Sequence, residues 1–162
     1  MRKFTQDSVA DGDVELLMRA ALMAPSGKGL HSYEFVVVKD KETLKQLATV
    51  KEAGGEFVAD APLAVVVAGD PEVSDTWIED CSLAAAHLML QAEDLGLGSC
   101  WVQIRGRVDA AGHDAEDNVR QLLHIPSGKR VLCMVAIGYK GMERKPQNED
   151  RLKWEKVHRE LY

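Results

Sequence analysis

The chain has 162 residues, of which 46% are hydrophobic, and its formal net charge at pH 7 is −6. A chain of this size can bury about two thirds of its unfolded surface in one core, so residues 1–162 are predicted to form a single domain. The acidic balance argues against nucleic acid and anionic membranes as partners. No apolar run approaches the roughly 20 residues that span a bilayer, and the N-terminus lacks the apolar segment of a signal peptide, so we expect a cytoplasmic protein.

Helices and strands are predicted from the spacing of apolar residues and from the turn residues between them. Helices are predicted at 11–23, 41–50, 75–95, 114–123 and 149–160, and strands at 34–39, 61–68, 98–104 and 130–137. The strand at 61–68 is apolar throughout, which is typical of a strand whose two faces are both covered by helices. The order of elements indicates an α/β or α+β protein with about four strands.

The stretch from Ser74 to Gln103 is predicted to be the centre of the fold. Its apolar residues recur at steps of three and four and extend far round the helix, so more than one face should be buried. Ser74 is predicted to cap the helix, and Gly96 to end it in a left-handed conformation. Small side chains on one face would let a second helix or a flat ring approach closely, which favours contact with a partner subunit. They are Cys81, Ser82, Ala84, Ala85 and Ala86.

The loop from Ala24 to Tyr33 is unusual in composition. It places glycines at 27 and 29, a lysine and a histidine between a helix and a strand. Such a loop has a flexible backbone with exposed N–H donors. It is consistent with a plain helix-to-strand connection and with a ligand-binding loop.

Several standard chemistries are excluded by missing motifs. The chain contains no P-loop, no dinucleotide-binding glycine pattern between a strand and a helix, no H-E-x-x-H and no G-x-S-x-G. Cys81, Cys100 and Cys133 lie in apolar segments without C-x-x-C spacing, so we expect buried reduced thiols and no metal site. The histidines are scattered, and only His31 is singled out, because it lies in the loop beside a lysine.

Three segments together resemble the FMN-dependent nitroreductase family in a short form. They read A-P-S-G-K-G-x-x-x-Y-E-F-V-V-V from Ala24, D-C-S-x-A-A-x-x-L-M-L-x-A-x-x-L-G-L-G-S-C-W from Asp80, and I-G-Y-x-x-x-x-R-K-P from Ile137. The resemblance covers nearly the whole chain. It implies an α+β, nitroreductase-like fold with a central, mainly antiparallel or mixed sheet flanked by helices. It also implies a two-fold homodimer, packed largely through the central helix, with one FMN in each of two clefts at the interface.

The resemblance also implies which residues bind the cofactor. They are Arg2, Lys3, Ser26, Gly27, Lys28, His31, Trp101, Val102, Gln103, Arg144 and Lys145. The family lays the loop at 26–31 over the flavin of the neighbouring subunit, although it often has Gln where this chain has His31. The strand end at 101–103 would run beside the pyrimidine ring and N5. Arg144 and Lys145 would close on the phosphate, and Arg2 matches a cation near the ring.

Two departures from the family pattern are expected to matter. An Arg-Arg-Ser group that holds the FMN phosphate usually precedes the segment matching Arg2, and here Met1 stands directly before that segment. Either the native start lies upstream, or phosphate binding rests on the cations at 2, 3, 144 and 145, in which case the protein should purify partly or wholly without FMN. The link from Gln103 to Asp114 is short where larger relatives insert helices, so a more open cleft is expected.

The resemblance implies an FMN-dependent oxidoreductase with a ping-pong mechanism. NADH or NADPH would give hydride to the flavin and leave, and a nitroaromatic or quinone acceptor would take its place. No catalytic acid or base is implied, because the flavin carries the chemistry. Two alternatives stay open: reductive dehalogenation or oxidative flavin breakdown on the same fold, and a flavin-binding module or redox sensor without efficient turnover.

Overall fold

The computed structural model describes residues 1–162 and contains a four-stranded sheet between two layers of helices. The helices are α1 (Asp11–Leu22), α2 (Lys41–Leu47), α3 (Trp77–Asp94) and α4 (Ala115–Leu123). The strands are β1 (Tyr33–Val38), β2 (Leu63–Gly69), β3 (Leu97–Gln103) and β4 (Arg130–Tyr139). The predicted α+β class is confirmed, and every predicted element is present except the last helix. None of the helices has the length and hydropathy needed to cross a bilayer.

The sheet has the order β1-β2-β4-β3, and each neighbouring pair of strands is antiparallel. Every residue of β2 is buried. Its alternate side chains enter two cores, with Leu63 packed on the side of α1 and α3 and Ala64 on the side of α2 and α4. The prediction that helices cover both faces of this strand is therefore confirmed, and β3 is left at one edge of the sheet.

The central helix, α3, ends where the sequence predicts but does not begin as predicted. Gly96 follows the helix with φ 75°, the left-handed conformation that glycine adopts without a steric penalty. Thr76 stands at the N-cap, with no capping hydrogen bond from its side chain. The predicted cap, Ser74, instead donates its hydroxyl proton to the Asp80 carboxylate over 2.9 Å.

Three of the five small residues of α3 predicted to contact a partner subunit are covered by their own chain, so the prediction is wrong for them. Ala86 is exposed and Ser82 is half-buried, and for these two the contact stays a prediction. Cys81, Ala84 and Ala85 are fully buried among side chains of α1 and the sheet. The small side chains let α1 pack closely, which is their structural role. Burial raises the pKa of the Cys81 thiol to about 12. Leu90, on another side of α3, is 70% exposed.

The predicted helix at 149–160 is wrong. Only single turns of 3-10 helix form there, at Glu149–Arg151 and Trp154–Lys156. All residues from 141 to 162 are exposed, including Trp154 at 70%. A short helix in water depends on packing an apolar face against another element, and this segment packs none.

Candidate functional site

The loop predicted to bind a ligand is held against the N-terminal end of α3. The Gly27 N–H donates to the Asp80 carboxylate over 2.8 Å. Asp80 is only 2% exposed. A Cβ atom on Gly27 would lie 2.1 Å from Thr76 Oγ1, so the loop can approach α3 this closely only with glycine at that position. The glycine therefore has a packing role that its sequence context did not indicate.

The other end of the loop is held by Tyr33. Its hydroxyl proton is donated to the Ala24 carbonyl, 2.7 Å away, and burial raises the pKa of this phenol. The same oxygen lies 2.7 Å from His31 Nδ1. Since the hydroxyl has a single proton and donates it to the Ala24 carbonyl, a hydrogen bond with His31 requires a proton on Nδ1. The His31 side chain is exposed and so is accessible to a ligand.

Few donors of the loop stay free for a ligand. Lys28 is left-handed, with φ 55° and ψ 14°, and its N–H has no acceptor, whereas the other N–H groups of 27–31 are satisfied within the protein. The Ser26 hydroxyl accepts from the His31 N–H over 3.0 Å and retains its own proton for donation. The Lys28 ammonium pairs with Asp75 at 3.2 Å, but both side chains are more than 70% exposed, so the pair adds little stability.

The predicted strand end lies at the same end of α3 but at the opposite edge of the sheet from the loop. The Trp101 indole N–H donates to Gln103 Oε1 over 3.0 Å. The side chain of Val102 is buried, so only its backbone could touch a ligand. Arg105, just after the strand, places its guanidinium 5.9 Å from the centre of the Trp77 ring at the start of α3. Since β1 and β3 are the two edge strands, one chain does not bring the loop and the strand end together.

The basic pair predicted for phosphate lies near the beginning of β3. Arg144 and Lys145 line a cavity of about 730 Å³ together with Met1, Ser99, Glu143 and the ion pair of Lys140 with Glu93. The Met1 ammonium donates to the Ser99 carbonyl over 2.8 Å. Neither Arg144 nor Lys145 forms an ion pair within the chain, so their charges are free for an anion.

The N-terminal arm runs beside this cavity. The Lys3 carbonyl accepts from the Gly141 N–H over 2.9 Å, which places Lys3 beside the basic segment. Arg2 reaches Phe57, with its guanidinium carbon 5.5 Å from the ring centre. Both predicted cations of the arm therefore lie on the same side of the molecule as Arg144.

Two cations near Arg2 were not found from the sequence. A hydrogen bond of 2.9 Å from the Glu52 N–H to the Val108 carbonyl brings Lys51 beside Arg107. The pKa of Lys51 is lowered chiefly by partial burial and then by the charge of Arg107; Glu56 opposes this, and Arg2 adds the smallest lowering effect. Lys51 and Arg107 are 56 positions apart along the chain, so no local pattern could have joined them. Positive charge thus collects at both ends of β3.

Known proteins resemble this chain in sequence along its whole length. The model of the nitroreductase family matches residues 1–53 and 48–139. A protein of Archaeoglobus fulgidus, whose name combines NADH dehydrogenase with NAD(P)H nitroreductase, is 32% identical over 167 residues, covering 100% of this chain and 92% of the relative.

Solved structures agree in fold along the whole chain. A structure described as an FMN-dependent nitroreductase from Clostridium difficile R20291 has 42% sequence identity and a TM-score of 0.98, and the match covers 100% of this chain and 94% of that one. A protein of Bacteroides thetaiotaomicron, with the same combined name as the Archaeoglobus relative, has 31% identity and a TM-score of 0.89 over 99% of this chain and 91% of its own.

Proposed function

Because the chain belongs to the nitroreductase family, we propose that it is an FMN-dependent oxidoreductase that passes hydride from NADH or NADPH to a nitroaromatic or quinone acceptor. The observation that carries the proposal is the distribution of cations along β3. Arg144 and Lys145 line a cavity at the beginning of this strand, and Arg107 follows its end. Lys51 lies close enough to Arg107 and Arg2 for both charges to act on it. A protein with a net charge of −6 that keeps unpaired cations on one edge is suited to bind an extended anion there.

The residues present fit FMN. The cavity at Arg144 and Lys145 offers charge-assisted donors for a phosphate. At the other end, the backbone after Trp101 would run beside the ring, and Arg2 and Lys51 would face its electron-rich pyrimidine edge. Bound FMN would supply the hydride transfer, while the chain supplies orientation, charge and exclusion of competing reactions. The two substrates would use one cleft in turn, by a ping-pong mechanism, and no side chain is needed as a general acid or base.

The proposed site is complete only in a homodimer. The loop at 26–31 lies across the sheet from β3, so its free donors would serve the FMN of a second copy. Apolar side chains on the outer faces of α1 and α3, such as Leu22 and Leu90, are exposed and would be covered by that copy. The exposed tail that carries Trp154 would add to the contact. An obligate interface of this kind buries more than about 2,000 Å².

The test is an FMN titration followed by flavin fluorescence, with light scattering of the same sample and steady-state oxidation of NAD(P)H with a quinone. We expect saturable FMN binding, a dimer at micromolar concentration and quinone-dependent turnover. FMN binding without turnover would favour a flavin-binding module or redox sensor. A folded monomer, or no FMN binding at any concentration, would contradict the proposal. Location in the cytoplasm remains a prediction.

A further inference from the structure

Asp80 is an unusual buried acid. Acidic side chains are seldom fully buried unless they are paired with a cation. Glu116, which is also 2% exposed, follows this rule, because Arg130 donates to it over 2.8 and 2.9 Å. Asp80 has no cation partner. Its carboxylate is satisfied by the Gly27 N–H at 2.8 Å and the Ser74 hydroxyl at 2.9 Å, with the Thr76 hydroxyl further away at 3.4 Å.

These contacts determine which donor of the loop is left for a ligand. The Gly27 N–H donates to the buried Asp80 carboxylate, and the next residue, Lys28, adopts the left-handed conformation with φ 55°. A residue with a side chain rarely adopts this conformation unless its neighbours are fixed. The N–H of Lys28 is the one amide of 27–31 without an acceptor. The Lys28 N–H is therefore free because Asp80 binds the preceding residue, Gly27.

We propose that Asp80 is a positioning residue for the flavin, whose buried carboxylate sets the loop at 26–31 in the conformation that presents the Lys28 N–H and the Ser26 hydroxyl to the cofactor of the facing subunit. This inference rests on the proposed function and adds to it a residue that would not itself touch FMN. It also assigns a role to Gly27, which supplies the close approach to Thr76 rather than an N–H for the ligand.

The first experiment compares Asp80→Asn with Glu116→Gln, a matched loss of a buried carboxylate on the other side of the sheet. FMN affinity is measured by fluorescence titration, and amide exchange at 27–31 is measured by mass spectrometry on FMN-free protein. We expect Asp80→Asn to speed exchange in the loop and to weaken FMN binding at least about tenfold, since hydrogen bonds to a charged group are lost. Glu116→Gln should lower the melting temperature but leave the loop exchange and the affinity unchanged.

Normal exchange and affinity in Asp80→Asn would overturn the inference and leave the proposed function standing. Absence of FMN binding by the unaltered protein would overturn both.

A second variant tests the same geometry without removing the acid. Gly27→Ala puts a Cβ atom 2.1 Å from Thr76 Oγ1 and should displace the loop, weakening FMN binding at least about tenfold. The double variant Gly27→Ala, Thr76→Ala removes that oxygen and leaves the Cβ atom of residue 76 at 3.3 Å, so much of the affinity should return. Unchanged affinity in the single variant, or no recovery in the double variant, would show that loop position does not control flavin binding.

Discussion

The two segments proposed to bind FMN are held in different ways. The loop at 26–31 is fixed before any ligand arrives, by Asp80 at Gly27 and by the Tyr33 hydroxyl, which contacts Ala24 before the loop and His31 at its end. The segment at 140–145 is exposed throughout, and its terminal cations, Arg144 and Lys145, have no partner in the chain. A prearranged loop can bind without a further loss of freedom, whereas each side chain ordered on binding costs about 0.5–1.5 kcal/mol. The loop is thus suited to set geometry, and the basic segment to supply charge.

The largest effect is expected from removing that charge. The double variant Arg144→Ala, Lys145→Ala would lose two charge-assisted contacts of about 1.5–3 kcal/mol each. The loss is offset in part because the two side chains no longer have to be ordered on binding. We expect the FMN dissociation constant to rise about a hundredfold. The melting temperature of FMN-free protein should not change, because both residues are exposed.

The control for this pair lies on α2, away from the cavity. Lys41→Ala, Lys45→Ala removes two exposed charges and should leave the affinity intact. A fluorescence titration in which both double variants bind FMN equally well would show that the phosphate is held elsewhere.

A smaller effect is expected at the other end of β3. Lys51→Met or Arg107→Met keeps most of the side-chain volume and removes one charge from the cluster at Arg2. We expect each variant to weaken FMN binding about tenfold, with a weaker dependence on salt than the unaltered protein shows. Lys41→Met, an exposed cation on α2, is the control. Affinities that match the control at several salt concentrations would exclude this cluster from the site.

Much of the fold was predictable because local patterns determine it. The apolar run of β2 indicated cover on both faces, and Gly96 marked the end of α3. The helix predicted at 149–160 failed because its apolar residues find no partner in the chain, and helical periodicity does not reveal whether a partner exists. Small side chains allow close packing both within a chain and between subunits. Their presence in α3 therefore did not show which of the two contacts they make.

The candidate site was predictable only in part. The composition of the loop and the Arg144-Lys145 pair are local features, and both could be read from the sequence. The partnership of Gly27 with Asp80 spans 53 positions, and Lys51 meets Arg107 through a similarly remote contact. Such pairs depend on which elements the fold places side by side. No spacing rule in one sequence contains that information.

Lys28 allows a test of whether the loop at 26–31 acts through its fixed backbone or, like the segment at 140–145, through its charge. Glycine adopts the left-handed conformation without a steric penalty, so Lys28→Gly should raise the free energy of unfolding by about 1 kcal/mol. The free N–H is retained, and the lost pair with Asp75 is exposed, so FMN affinity should change less than about threefold. Urea unfolding of FMN-free protein and a fluorescence titration measure the two effects, with Lys28→Ala as the control that loses the charge but keeps the strain. Tenfold weaker binding in both variants would mean that the ammonium group, not the backbone, contacts the cofactor.

The smallest expected effect is on stability and concerns the loop that carries Arg107. Like the loop at 26–31, this loop is held by a carboxylate. Asp109 accepts hydrogen bonds from the N–H groups of Ala111 and His113 and from the side chain of Asn118. These bonds, led by the one from the His113 N–H and opposed by partial desolvation, lower the pKa of Asp109 from 3.8 to about 2. Between these two values the unfolded chain binds more protons than the folded one, so stability rises with pH there. The contribution of Asp109 is complete above about pH 4 and is lost as the pH falls towards 2.

Asp109→Asn should therefore be less stable than the unaltered protein at pH 7 and should lose less of its remaining stability between pH 4 and pH 2. The control, Glu15→Gln, changes an exposed acid of α1 that accepts no hydrogen bond, and it should lose as much stability between pH 4 and pH 2 as the unaltered protein does. Urea unfolding of FMN-free protein at a series of pH values checks this, and parallel curves for Asp109→Asn and the unaltered protein would show that Asp109 does not hold its loop.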